Sequence, residues 1–413
     1  MLNTSDSEKR ILLSVNIIIL GFLLAVAFHY ILGMYLGKGY PFNTFLFSPI
    51  DKFNDFFHPL RAASLKNPYD YYSLTGVIQP YLPLVYIIMK PLTLVPNYVA
   101  FGFVMLLFCL FQAFAIRFLV IRVIEKPSLQ ITSFLVLFAC IYPFLFVLDR
   151  GSTESIIYIF IGLFFYFYYI RRSPIVSALF LGLSVSLKII PGILIILYLA
   201  DRDFRGFIWA AVFIFFINVF GFIYLSLISA VPIMQLVRDF LQQFSLYNQV
   251  YNFSGMGIGH RHTLWIFLQT LNLQFRVIDF GVLLKLYDGM ILLLLGLIIY
   301  TVCMKKLSSW KRASLLLVSM VTLPSSLGDY TLIHLFYALM AFILLGDGND
   351  IKKYLVLLSL VFIPITYVYI RITWVSDFLY PLILLSIIIL LLREGFMEKG
   401  NYDLPETVRM KLQ

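Results

Sequence analysis

Apolar runs, many about the length of a membrane crossing, alternate with short polar breaks along most of this chain. The first, Ile11 to Leu32, follows Lys9 and Arg10 and is long enough to span, so it is expected to stay as the first helix, amino end in the cytoplasm. Further helices are predicted near 98–121, 128–147, 155–170, 174–188, 190–201, 207–229, 280–303, 313–325, 330–346, 354–371 and 378–393. Several are shorter than a full crossing. The runs are too long for barrel strands, which leaves closed hydrogen-bonded helices as the spanning element. The expectation is an all-α polytopic membrane protein of about 12 transmembrane helices. Residues 1–393 form one transmembrane domain, and 394–413 a polar cytoplasmic tail.

The polar breaks set the topology. Two are long: 34–97, a first exterior loop expected to be partly helical, and 231–279, a second large exterior segment. With the amino end inside, the clusters Arg117/Arg122/Lys126, Arg171/Arg172, Arg202/Arg205, Lys305/Lys306/Lys311/Arg312, Lys352/Lys353 and Arg393/Lys399 all fall on the cytoplasmic side. That agreement requires Tyr81 to Val95, interrupted by Lys90, Pro91 and Pro96, to be a helix that enters from outside without crossing. It also requires Ser173 to Ala200 to be a hairpin turning at Lys188-Ile-Ile-Pro191, although that length also suits one tilted crossing. Pro324 to Tyr330 divides a second such pair. Both recessed turns would need protein or a water-filled cavity around them, so a cavity open to the outer side is expected.

Composition sharpens this reading. Hydrophobic residues make up 61% of the chain and charged ones 13%, with a mean hydropathy of +0.93, which excludes a water-soluble domain. The 31 basic residues outnumber 21 acids. They sit in short clusters between apolar runs, so they report topology and not a nucleic-acid partner. Cys109, Cys140 and Cys303 lie inside apolar runs without metal-like or disulfide-like spacing.

The candidate chemistry gathers on the outer side. The first loop holds Asp51, Asp55, His58, Arg61 and Asp70; Asp149-Arg-Gly-Ser-Thr-Glu154 follows; then come Lys188, Ser254 to His262, and Asp329-Tyr330 with His334. Each has a plain reading. Asp51 and Asp55, at an i, i+4 spacing, suit the solvated face of an interfacial helix, and Arg150 suits a headgroup anchor. His260 and His262 suit a surface loop, and without a third ligand at suitable spacing no metal site and no other cofactor is expected. His29 suits packing. Lys188 is harder to explain away, because an ammonium buried at that depth costs several kcal/mol unless an anion or cavity meets it.

One further pattern is more specific. Asp55-Phe56, Asn67-Pro68-Tyr69, Tyr81-Leu-Pro-Leu-Val-Tyr86, Asp149-Arg-Gly151 and Gly182-Leu-Ser-Val-Ser-Leu-Lys-Ile-Ile-Pro191 follow one another in an order that resembles the GT-C superfamily of membrane glycosyltransferases. Within it the chain most resembles glycosyltransferase family 87, the polyprenyl-phosphate-mannose-dependent type. The resemblance implies a GT-C-like helix bundle that moves a mannose-like sugar, with inversion and without metal, from a polyprenyl-phosphate donor to a hydroxyl of a lipid-linked or envelope glycan. It implies Asp55 as catalytic base. The donor phosphate would be held by Lys188, Arg150 and His334. Asp51, His58, Tyr81, Asp149, Glu154, His260, Arg261, Asp329 and Tyr330 would line the acceptor and sugar site. The expected partners are that donor, the glycan acceptor and membrane lipids, with no nucleic acid. The expected location is a bacterial plasma membrane, active site on the periplasmic or extracellular face. Two other readings stay open: a polysaccharide polymerase or ligase, and a non-enzymatic lipid-glycan transporter or flippase.

Overall fold

A computed structural model of the protein describes residues 4–40, 42–49, 52–251, 257–264, 280–346, 350–365, 369–370, 373–374 and 376–397. These residues are almost wholly helical, with a single antiparallel pair of two-residue strands at Tyr369–Ile370 and Thr373–Trp374. Five helices are long and apolar enough to cross a membrane. They lie in α1 (Thr4–Met34), α5 (Asn97–Val123), α11 (Phe204–Ser229), α13 (Phe280–Met304) and α17 (Ser376–Met397). A sixth crossing results if α6 (Pro127–Ala139) and α7 (Tyr142–Arg150), bent by 45° at Cys140 and Ile141, count as one. The protein is therefore a membrane protein, with five or six full-length apolar helices among the described residues, against about twelve crossings expected. The remaining apolar runs are shorter. A helix of 14 residues is about 21 Å long, against roughly 30 Å of hydrocarbon.

Those shorter runs fold back on themselves. α8 (Glu154–Phe165) continues through a π-helical turn (Tyr166–Ile170) to Arg171. α9 (Pro174–Leu187) then runs out to Lys188, and a 3-10 turn (Ile190–Ile195) with α10 (Ile196–Ala200) runs back. The return is fixed by hydrogen bonds, because the Tyr168 hydroxyl donates to Asp201 at 2.7 Å and Arg312 reaches the other Asp201 oxygen at 2.7 Å. A second fold-back follows in α14 (Ser309–Thr322), the turn at Pro324, a 3-10 turn (Asp329–His334) and α15 (Leu335–Leu345). The Trp310 and Phe342 rings, 4.8 Å apart, join the far ends of that pair. Prolines at the first positions of α6 and α9 start those helices without losing a hydrogen bond.

These contacts give the bundle two chemically different ends. Tyr168 and Arg312 meet at Asp201, which brings the chain segments that carry Arg171/Arg172, Arg202/Arg205 and Lys311/Arg312 to one end. Glu394, which pairs with Lys311 at 2.8 Å and accepts from Tyr354, brings α16 (Ile351–Val361) and α17 to the same basic end. The Lys188 and Pro324 turns lie at the other end.

The first long polar loop is held at that second end by three short helices, α2 (Asn54–Ser64), α3 (Tyr71–Thr75) and α4 (Pro83–Leu92). α4 packs on α2 and α11. Lys90, which argued against a crossing here, donates to the Ala63 carbonyl at 2.9 Å and so caps the end of α2. Within the second long polar segment the structure adds α12 (Ile233–Tyr251), an amphipathic helix laid against the Asn67 to Asp70 turn and α11. Its inward stripe, Leu236, Phe240 and Gln243, is buried. His29 packs as expected, its Nδ1 at 2.8 Å from the Phe42 carbonyl.

Candidate functional site

The site is built where three chain reversals meet α2. The first is the Asp149-Arg150-Gly151 turn at the end of α7. Gly151 has φ +65, and a Cβ there would lie 2.8 Å from the Phe56 Cβ on α2, so only glycine lets the turn approach this closely. Asp149 clamps the loop to it: Oδ1 accepts from the Phe47 N–H at 2.8 Å and its carbonyl from Phe53 N–H at 2.9 Å. Phe53 itself sits at φ +60, uncommon for a bulky residue, with its ring 4.3 Å from that of Phe101. The effect is to present Asp55, in the first turn of α2, to Arg150. The guanidinium forks onto the carboxylate with Nη2–Oδ1 at 3.1 Å and Nε–Oδ2 at 3.3 Å.

Beside this pair stands a second ionic group. Glu154, 2% exposed, opens α8; one oxygen is 2.5 Å from Lys188 Nζ at the end of α9, and the other is 2.6 Å from His334 Nε2. Each charge suits its helix end, carboxylate at the amino end of α8 and ammonium at the carboxyl end of α9. Lys188 retains two further N–H donors, and its ammonium is 5.5 Å from the Tyr330 ring. Tyr81 and Tyr330 are each within electrostatic reach of both Asp55 and Glu154, and Lys188 is within reach of Asp55. The two ionic groups therefore lie near one another, beside Tyr330.

The structure sorts the remaining expected residues. Tyr81 pairs with Thr153 and Tyr330 stacks on Phe146, both beside the ionic groups. Asp329 is buried one residue before Tyr330. Asp149, placed in the acceptor site by the resemblance, has a carboxylate oxygen committed to the loop clamp. Glu154, also placed there, is instead the counter-ion of Lys188. His58 faces the loop, its Nδ1 2.9 Å from the Tyr71 hydroxyl. His260 and Arg261 bind Asp288 of α13, and their segment is laced to the Pro324 turn by Ile258 N–H to Leu327 O and His260 N–H to Pro324 O. At Gly259 a Cβ would lie 2.5 Å from the Ser325 carbonyl, so the glycine-rich stretch serves close backbone packing. Asp51 lies outside the described residues. Among the described residues no group of three or more His, Cys, Asp and Glu side chains converges as a metal site would.

Two features escape a reading of the sequence. Tyr247, one turn beyond Gln243 on α12, is within electrostatic reach of Lys188, Tyr81 and Tyr330. The stripe at 236, 240, 243 and 247 was the available signal. The second is a clasp: the Asn67 side-chain amide donates to Asp70 at 3.0 Å and to Asp239 of α12 at 2.9 Å, tying that helix over the loop.

The sequence profile of glycosyltransferase family 87 matches residues 80–327, more than half of the chain. The protein belongs to glycosyltransferase family 87. It is accordingly a membrane glycosyltransferase, as the resemblance implied. The matched stretch contains Tyr81, Arg150, Glu154, Lys188 and the Pro324 turn; Asp55 lies before it and His334 after it. Those two join the family region through Arg150 and Glu154. Neither a curated protein nor a solved structure matches the chain.

Proposed function

We propose that this family 87 enzyme transfers a mannose-like sugar from a polyprenyl-phosphate donor to a hydroxyl of a lipid-linked or envelope glycan, with inversion, on the outer face of a bacterial plasma membrane. The observation that carries this reading is the nearness of the Asp55–Arg150 pair to the Lys188–Glu154–His334 group. A hydroxyl is a poor nucleophile and gains most from a base within hydrogen-bond reach, whereas a departing phosphate needs cations. Asp55 takes the acceptor proton as the acceptor oxygen bonds to the sugar's anomeric carbon. The bond from that carbon to phosphate oxygen breaks, and the prenyl phosphate leaves with the electron pair.

Lys188 and Arg150 receive that phosphate. Glu154 keeps Lys188 charged at depth without using all of its donors, and His334 holds Glu154 from the opposite side. Tyr81, Tyr330 and Asp329 contact the sugars, with Tyr247 closing over them from α12. The test incubates purified protein with a panel of radiolabelled prenyl-phosphate sugars and a membrane lipid extract. One donor should be consumed with formation of a glycosylated product. Asp55→Asn should lower turnover by about 10²- to 10⁴-fold while donor binding persists. Near wild-type turnover in that variant puts the base elsewhere, and uptake of label into vesicles without any product favours a transporter.

A further inference from the structure

A cavity lies at the basic end, away from Asp55. It is a cleft of about 490 Å³ between α5, the π turn after α8, α14 and α15. That volume lies within the roughly 300–1,000 Å³ of small-molecule sites. Phe114 on its rim is 65% exposed on a membrane-length helix, so the cleft opens sideways toward lipid.

Its chemistry is uneven. The walls are mostly aromatic and aliphatic, but Arg172 stands at the mouth, at φ +51, a conformation that a non-glycine residue adopts only at a cost. Arg171 lies against the Tyr166 ring, another wall residue, and donates to its hydroxyl at 2.9 Å. Neither guanidinium has a carboxylate partner among the described residues. The π turn that brings Tyr166 and Arg172 here is itself a rare element that recurs at functional sites.

Deeper in the cleft, Ser314 supplies a polar group without a partner. Its hydroxyl is fully buried and makes no hydrogen bond. A helical serine normally returns its hydroxyl to the carbonyl one turn back, as Ser319 and Thr322 of the same helix do at 2.7 Å. Ser314 lies about 7.5 Å along α14 from Ser309 at the mouth, by helical rise. A ligand that satisfies this site therefore has an anionic head, an acceptor a few bonds further in, and an apolar chain.

We propose that the cleft binds one anionic glycerophospholipid, with its phosphate on Arg171 and Arg172, an ester carbonyl accepting from Ser314 and an acyl chain along the aromatic wall. A prenyl phosphate carries no ester carbonyl and leaves Ser314 unmet. The two guanidiniums select a net anionic headgroup over a zwitterionic one.

The full-length protein, delipidated in detergent, is titrated in native mass spectrometry with dioleoyl phosphatidylglycerol, dioleoyl phosphatidylcholine and undecaprenyl phosphate. Phosphatidylglycerol should bind about tenfold more tightly than phosphatidylcholine. The double variant Arg171→Gln/Arg172→Gln, altered only on the exposed rim, should erase that preference. Ala341→Phe, which fills the cleft, should weaken both phospholipids, and Ser314→Ala should weaken them while sparing the preference. Equal affinity for the two phospholipids, a preference that survives the double variant, or displacement of phosphatidylglycerol by undecaprenyl phosphate overturns the proposal.

Discussion

The two ends of this bundle both carry ion pairs, yet they use them differently. At the basic end Arg312 meets Asp201 at 2.7 Å with 18% and 33% of the side chains exposed, and cations outnumber acids nearby. At the opposite end Glu154 is 3% exposed and lies between Lys188 and His334, while Asp55 and Arg150 are about one-fifth exposed. Water reaches Asp201, whereas almost none reaches Glu154, so losing Lys188 leaves the Glu154 charge with little hydration. The lesson is that charge near the membrane reports topology where cations are abundant, and points to chemistry where a fully buried carboxylate is matched by cations.

Substitutions that unbalance each end test this contrast. Lys188→Ala strands Glu154 and should cost about 3–5 kcal/mol in detergent-solubilised thermal or chemical unfolding. Lys188→Met combined with Glu154→Gln should recover most of that stability without restoring transfer. Recovery of both would mean that Lys188 does not serve the donor. Gly151→Ala should cost about 1–3 kcal/mol, because it adds strain at φ +65 and drives a Cβ into Phe56. It should also lower turnover by displacing Arg150. Arg312→Ala, which removes bonds to Asp201 and to the Leu307 and Ala200 carbonyls, should cost about 1–3 kcal/mol, less than Lys188→Ala. A loss as large as that of Lys188→Ala would erase the distinction between the ends.

The smallest effect concerns the clasp between the first loop and α12. Burial and the neighbouring Asp239 carboxylate raise the Asp70 pKa above its ordinary 3.8. An acid raised in the folded state contributes its stabilisation below the ordinary value and loses it as pH rises through the raised one. Protection of the α12 amides, taken relative to their intrinsic exchange rates at each pH, should therefore be greatest near about pH 4 and fall toward neutrality. Asp70→Asn should flatten that dependence, and an unchanged profile in this variant would remove Asp70 as its cause.

Much of the plan was legible because membranes impose strong rules on sequence. Apolar length marks helices, proline and lysine mark where they cannot continue, and basic clusters gather at one end. Lys188 stood out because a cation inside an apolar run needs an explanation. The anion that supplies it, Glu154, was readable only as one more polar residue of the 149–154 turn, since its pairing depends on α8 and α9 folding side by side. Arg150 was similarly visible as a cation, but its engagement with Asp55, 95 positions earlier, was not.

Among the described residues fewer helices have full crossing length than the crossings expected, for a related reason. Apolarity records burial, and a run such as 313–345 is apolar because protein surrounds it on most sides, whether or not it traverses the bilayer. α12 was missed because it lies flat on other elements and has the mixed composition of a loop. The sequence by itself determined a helical membrane protein, its basic end and the turns where polar groups are forced inward, since each follows from local chain chemistry meeting lipid. Tertiary structure alone decided which carboxylate meets which cation, because those partners lie far apart in the chain and only packing brings their helix ends together.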